Sequence, residues 1–358
     1  MTSIGTHRDL IARLPKVELH LHLDGSLRPA TALELGSARG VFGPHITPAV
    51  VTSRLRAPMP CRDQAELLAA FELPLAILQD AEALERVAAE LVEDIADDGT
   101  IYAEVRWAPA LHVRGGLTVR QVIDAVASGT KAGLARVRRG GRGMEVRLIV
   151  VAIRSHAPAD NEAVARVAVA AAGAGVVGFD LAGPEAAYPD PLEHRRAFAI
   201  ARAGGLGLSV HAGEWGGAAQ VRRALALDPR RIAHGAPAAD DPALMAELTR
   251  RGVTLDLCPS SNWQAGLVAR LADHPLPRLL RAGVPVTLST DDRTVSDLTL
   301  PLEYARALDP LGLSVGELWG VDRHAVDAAF LDGEPVVRDR LRIMFDAFAA
   351  GEPALAGG

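Results

Sequence analysis

The stretch Val17-Glu18-Leu19-His20-Leu21-His22-Leu23-Asp24-Gly25 reads as a short apolar strand that carries two histidines one residue apart and closes on Asp-Gly. Side chains on a strand alternate faces with period two, so His20 and His22 point the same way. Two imidazoles side by side on a rigid element suit a chelating pair for a borderline-soft metal such as zinc. Taken alone, the stretch is equally well explained as a half-exposed strand that happens to hold two histidines. The rest of the chain decides between them.

A chain of 358 residues can form two ordinary domains or one α/β barrel. Hydrophobic residues make up 49% of it and charged residues 23%, which excludes a disordered chain and suits an enzyme with a buried sheet. The formal charge, 38 − 44 = −6, recruits neither nucleic acid nor an acidic membrane surface. Cys61 and Cys258 are far apart and belong to no Cys-x-x-Cys, which argues against a disulfide framework and a cysteine-ligated zinc site. Residues 1–15 contain Arg8 and Arg13 but no apolar run suited to a signal peptide, and no segment approaches the ~18 apolar residues of a membrane span. A soluble cytoplasmic protein without membrane or nucleic-acid partners is expected.

Outward from the first strand, Arg28-Pro29 opens a helix through about Gly40, and residues 41–60, rich in Pro, Gly, Thr and Ser, read as a loop. Residues 63–79 and 81–96 have helical periodicity, with Phe71 expected in the core or under a lid. From Gly99 a rhythm sets in. Strands are expected at 100–107, 144–153, 176–181, 206–211, 232–234, 253–258 and 284–289, with helices between them at 118–137, 161–172, 191–203, 217–227, 242–251 and 275–282. With the first strand this makes eight β/α units whose strands read as apolar on both faces, as a covered parallel sheet requires. A closed (β/α)8 TIM barrel is therefore expected, with extra helices after strand 1 and at the carboxyl terminus. No G-x-G-x-x-G follows the first strand, so a dinucleotide fold has no support. The whole of 1–358 reads as one domain, with 41–98 as lid and helical insertion and 301–358 as terminal helices ending in a frayed Gly357-Gly358.

In such a barrel, chemistry collects at the carboxyl ends of the strands. Those ends carry His20, His22 and Asp24 on the first strand, His211-Ala212-Gly213-Glu214 on the fifth, His234-Gly235 on the sixth and Ser289-Thr290-Asp291-Asp292 on the eighth. His20, His22, His211 and Asp291 offer three imidazoles and a carboxylate, a set suited to one zinc with an open position for water. Glu214 is placed as a proton shuttle and His234 as an orienting group. Singly, His234 before glycine reads as a loop histidine, the Asp pair as a helix cap and Glu214 as solvated. Their joint placement at four strand ends makes chance a poor account. His7, His45, His112, His156, His194, His274 and His324 have no such company and are expected to be surface or packing residues.

The segments 19–25, 102–106, 178–185, 211–214, 232–235, 258–262 and 289–292 together resemble the adenosine deaminase family of the amidohydrolase superfamily, in the family's order across about residues 15 to 305. The resemblance implies a barrel with a single zinc, held by His20, His22, His211 and Asp291. Zinc lowers the pKa of its water toward neutrality for addition to C6 of a purine. Glu214 would protonate N1, which requires a pKa raised by desolvation. By the same resemblance His234 stabilises the developing charge, Asp292 meets N7, the Gly183 N–H meets N3 and Asp24 contacts a ribose hydroxyl. The product would be the 6-oxo purine plus ammonia.

Arg293, Trp107, Ala110 and Trp215 depart from the usual family text. Arg293 is expected to form an ion pair at the barrel rim and Trp215 to pack beneath the lid; alternatively, they recognise an anionic or bulky group on the nucleoside. Aspartate at position 24 resembles the nucleoside group, whereas relatives acting on free adenine tend to have glutamate. Adenosine or 2′-deoxyadenosine is thus the expected substrate, followed by a carboxylated adenosine such as aminodeoxyfutalosine, and then by adenine. A non-catalytic purine-binding barrel is a further alternative, against which the presence of Glu214 argues.

Overall fold

The structure, a computed structural model, describes residues 4–355; Gly357-Gly358 lies outside them. Eight strands run parallel: β1 (Lys16–His22), β2 (Thr100–Trp107), β3 (Glu145–Ile153), β4 (Val176–Ala182), β5 (Gly207–Ala212), β6 (Arg231–His234), β7 (Thr254–Leu257) and β8 (Val286–Leu288). Each pairs with its successor in sequence. The ends of the sheet meet at a parallel bridge between Leu21 and Asp291. There the His22 N–H donates to the Asp291 carbonyl at 2.8 Å and the Asp291 N–H to the His20 carbonyl at 3.0 Å. The expected (β/α)8 barrel is the fold, and its closing seam runs through three of the candidate site residues.

The helices between strands are set by local chemistry. Asp80 caps the helix Ala81–Asp97 by accepting from the Ala83 N–H, and Thr118 and Gln121 form a capping box at the start of Val119–Arg139. Their apolar faces pack on the outside of the sheet, where Leu19, Leu21, Val150, Leu181 and Val210 are fully buried. Burial of each such side chain is worth about 1.5–3 kcal/mol.

The barrel interior departs from the expected apolar lining. Glu104, Arg106, Asp180, Arg231 and Asp256 all lie inside it without exposure. A buried charge is costly unless paired, and here Arg106 reaches Asp180 at 2.8 Å, while Arg231 reaches Glu104 at 2.6 Å and Asp256 at 3.1 Å. Phe330, from the bend after the helix Val315–Ala328, lies under this layer with its ring centroid 3.9 Å from the Arg231 guanidinium. A Cβ at Gly207 would come within 2.2 Å of its ring. Glycine is what lets that plug seat.

Three other segments differ from expectation. Residues 41–60 contain a helix, Pro48–Leu55, begun by a Thr47 cap and pinned by buried Val51 and Leu55. The single helix expected over 63–79 is two, Gln64–Ala69 and Glu72–Ile77, because Pro74 has no N–H to continue the ladder onto Ala70. A helix, Ile4–Arg13, precedes β1 where none was anticipated. The terminal region forms Leu300–Leu308, Val315–Ala328 and Pro335–Gly351. Among the described residues no helix is long and apolar enough to cross a membrane.

Candidate active site

Strand ends bring together every residue expected to meet there. His20 and His22 share one face of β1, and β5, β6 and β8 deliver His211, His234 and Asp291. His234 (φ 62°) and Asp291 (φ 68°) both adopt the left-handed region, which costs about 1–3 kcal/mol for a residue with a side chain. Tertiary bonds hold them: Asp291 through the β1 seam and through Ser261 Oγ, which donates to its Oδ2 at 2.8 Å, and His234 through Asn262. Gly25 touches the same turn, since a Cβ there would fall 1.8 Å from Asp292 Oδ1.

The nitrogen and oxygen atoms converge at metal-like separations. His22 Nε2 is 3.2 Å from His211 Nε2 and 3.4 Å from Asp291 Oδ1, and His20 Nε2 is 2.9 Å from Asp291 Oδ1. A tetrahedral zinc with bonds of about 2.0–2.1 Å spaces its ligand atoms about 3.3 Å apart. The residues therefore fit a metal. Burial holds His20 well below the usual histidine range and brings His22 down to about 4, so both imidazoles are neutral, as ligands must be. A compact group of ligand atoms, all within 4.8 Å of one another, also takes in His234 with His20, His211 and Asp291. His234 nonetheless differs, because its Nδ1 faces the Asn262 amide nitrogen at 3.1 Å rather than a carboxylate.

Two carboxyls beside this cluster have raised pKa values. Burial, reinforced by Asp291 and Glu185, pushes Glu214 well above the ordinary carboxylate range. Burial and the charges of Asp291 and Asp24 do the same for Asp292. Asp291 goes the other way: His20, His234 and His22 outweigh its burial and keep it ionised. Asp24 is likewise held low against burial by His112, whose Nε2 lies 3.8 Å away.

Several residues given no role from sequence hold these groups in place. Asp180 Oδ2 meets His211 Nδ1 at 2.9 Å. The Glu185 carboxylate accepts from the N–H groups of Gly213 (2.7 Å), Trp215 (2.8 Å) and Gly216 (3.1 Å), clamping the turn that carries Glu214. Ser289 Oγ accepts from the His20 N–H at 3.1 Å. His112, His194 and His274 are buried packing residues, but His112 and His274 face the site's own groups. A polar residue inside a strand expected to be buried, as at Asp180, was the available signal.

The metal-side chamber, about 70 Å³, is roofed by Gln64, Leu67, Leu68 and Phe71 and opens past Gly183 into a wider apolar chamber of about 270 Å³. The roof thus comes from residues 64–71, within the 41–98 insertion. Trp215 packs with Leu67, Ala70 and Phe71 beneath it. Arg293 is turned away and paired with Asp98 at 2.6 Å, as the rim reading expects. A larger groove of about 450 Å³, between Pro237 and Arg281, contains none of the converging groups.

Comparison with known proteins agrees with this geometry. The family model described as adenosine deaminase matches residues 15–342. An adenosine deaminase of Mycobacteroides abscessus is 38% identical over 360 residues, covering 97% of this chain and 98% of its own. The solved N6-mAMP deaminase of Arabidopsis superposes with a TM-score of 0.82 at 28% identity, covering 95% of this chain and 99% of that one. The adenine deaminase of Arthrobacter aurescens does so with a TM-score of 0.81 at 25% identity, covering 93% and 99%. Sequence match, barrel and site agree: the chain belongs to the adenosine deaminase family, hydrolases acting on C–N bonds of cyclic amidines.

Proposed function

We propose that this protein is a cytoplasmic, single-domain deaminase that removes the 6-amino group of an adenine nucleoside, adenosine or 2′-deoxyadenosine, with one Zn²⁺ held by His20, His22, His211 and Asp291. The observation that carries this reading is a buried Glu214, its pKa raised by burial and its Oε1 3.8 Å from His234 Nε2, beside three imidazoles and a carboxylate at metal-ligand spacing. A zinc bound there supplies an activated water at neutral pH.

The remaining chemistry belongs to side chains. A 6-aminopurine presents acceptors at N1, N3 and N7, so its recognition needs three donors. Neutral Glu214 donates its proton to N1 as water adds at C6, neutral Asp292 donates to N7, and the Gly183 N–H donates to N3. His234 presents Nε2–H to the oxygen that attacks. Asp24 accepts from a ribose hydroxyl. Of the two protons of the added water, one returns to Glu214 and the other passes to the 6-amino group, which departs as ammonia while the ring keeps the oxygen, giving the 6-oxo nucleoside. The insertion 41–98 contributes the roof that excludes bulk water, and the helices of 301–358 close the barrel's other end.

The wider chamber bears on the substrate. Its walls are Leu75, Ala108, Leu111, Val151 and Ile153, with His22, Asp24 and Ser155 as polar side chains and no lysine or arginine in its lining. A 5′-phosphate would be desolvated there without a countercharge, which supports a nucleoside over a nucleotide. The same apolar walls favour, as a second reading, an adenosine with an aryl extension such as aminodeoxyfutalosine, although Arg293 is not available for its carboxylate. Free adenine would leave this space unfilled.

The test is ammonia release by the zinc-loaded protein from adenosine, 2′-deoxyadenosine, adenine, AMP and a carboxyaryl adenosine, compared as kcat/KM. Highest kcat/KM on a plain nucleoside is expected. Preference for the carboxyaryl compound moves the assignment to the second reading, and silence on all five removes the deaminase reading.

A further inference from the structure

Behind His234, buried polar groups stand in single file. The Leu276 N–H donates to His274 Nδ1 at 3.2 Å; His274 Nε2 lies 3.1 Å from Asn262 Oδ1; and Asn262 Nδ2 lies 3.1 Å from His234 Nδ1. His274 is 3% exposed, His234 1% and Asn262 not at all. The file begins at a backbone N–H, which can only donate. His274 Nδ1 is therefore an acceptor, and the single proton of its neutral ring sits on Nε2. That proton needs an oxygen, which turns the Asn262 amide so that its NH₂ faces His234. His234 Nδ1 then accepts, and its own proton is left on Nε2. This nitrogen faces Asp291 Oδ2 and Glu214 Oε1, each 3.8 Å away.

We propose that Asn262 and His274 are positioning residues that carry the donor sense of the Leu276 N–H through to His234, fixing it as a neutral Nε2–H donor aimed at the place between Asp291 and Glu214 where the attacking oxygen arrives. The comparison with His211 shows why an amide and not a carboxylate stands behind His234. Asp180 accepts from His211 Nδ1, which leaves the His211 Nε2 lone pair free for a metal. His234 requires the opposite: with its proton on Nδ1, a lone pair would confront both the Asp291 carboxylate and an electron-rich oxygen. The site thus sets the tautomers of two neighbouring histidines, whose ring centroids are 5.3 Å apart, in opposite senses by what stands behind each Nδ1. The catalytic use of the donor rests on the deaminase reading, but its tautomer does not.

The decisive variants are Asn262→Asp, His274→Gln and His274→Leu. Ring ¹⁵N–¹H correlation spectra are recorded on metal-free and zinc-loaded protein, with His234 assigned by its loss in His234→Asn, alongside kcat, KM and affinity for the 6-oxo nucleoside product. The wild type should carry the His234 proton on Nε2. Asn262→Asp, nearly identical in shape but an acceptor, should move it to Nδ1 and lower kcat by about 10²–10³-fold, the cost of one preorganised donor, with product affinity little changed. His274→Gln keeps an N–H within reach of Asn262 and should retain the Nε2–H form and most of kcat; His274→Leu should lose both. The proposal is overturned by a wild-type Nδ1–H tautomer, by Asn262→Asp with an unmoved proton and wild-type kcat, or by equal losses in both His274 variants with the tautomer unchanged. If no 6-aminopurine is turned over, the deaminase reading fails while the spectra still decide the relay.

Discussion

Asp180 and His211, on neighbouring strands, are joined carboxylate to imidazole: Asp180 Oδ2 lies 2.9 Å from His211 Nδ1. Arg106 holds the same oxygen at 2.8 Å from the other side. His211 and Arg106 outweigh burial and keep Asp180 ionised, so it fixes the ring and leaves Nε2 bare. Asp180→Ala should weaken zinc binding by about 10–100-fold, the usual cost of losing such a partner. Competition with a chelator measures this; unchanged affinity would show that the His211 ring is held by other contacts.

Glu214→Gln keeps the size and one oxygen but removes the transferable proton. Turnover should fall below detection while zinc content stays near one per chain, because Glu214 lies outside the set of close ligand contacts. Ammonia release and metal analysis on the same preparation check it. Activity near wild type would reassign the proton donor.

Asp322 accepts from the Val17 N–H at 2.8 Å, and burial raises its pKa from 3.8 to about 7. A carboxyl with a folded pKa above its unfolded value adds stability that is fully present below pH 3.8 and is lost as pH rises through about 7. Asp322→Asn keeps an acceptor for Val17 but cannot ionise. The stability of the wild type relative to this variant should therefore decline between pH 4 and 7, as read by denaturant melts at several pH values. A constant difference would mean that Asp322 titrates normally.

Arg293 and Asp98 are paired at 2.6 Å, with side chains 10% and 13% exposed. Removing one partner strands the other, so Arg293→Met should cost about 2–3 kcal/mol, short of the 3–5 kcal/mol of a fully buried pair. KM for adenosine should be unaffected. A raised KM confined to carboxylated analogues would instead make Arg293 a recognition residue.

The eight-unit rhythm and the polar strand ends were legible because both follow from local pattern. Alternating apolar runs and helical stretches set the barrel, and His20, His22, His211, Glu214, His234, Asp291 and Asp292 stood out as polar residues where strands stop. The helix at Pro48–Leu55 was hidden by its Pro- and Gly-rich neighbours, since what stabilises it is packing of Val51 and Leu55 rather than propensity. Which part of the 41–98 insertion forms the roof was hidden for the same reason. Residues 64–71 face the site because of where the chain returns, and composition does not report that.

By itself the sequence determined the fold, through periodicity, and the identity of the reacting groups, through their chemical type and their place at strand ends. Tertiary structure alone decided their protonation. Glu214 and Asp292 are pushed up while Asp291 is pulled down, and His211 and His234 have opposed environments behind Nδ1. The reason is physical: a pKa or a tautomer depends on burial and on which donor or acceptor stands within about 3 Å, and here partners such as Asp180, Glu185, Asn262 and His274 lie 28 or more positions from the groups they set and acquire meaning when the barrel closes.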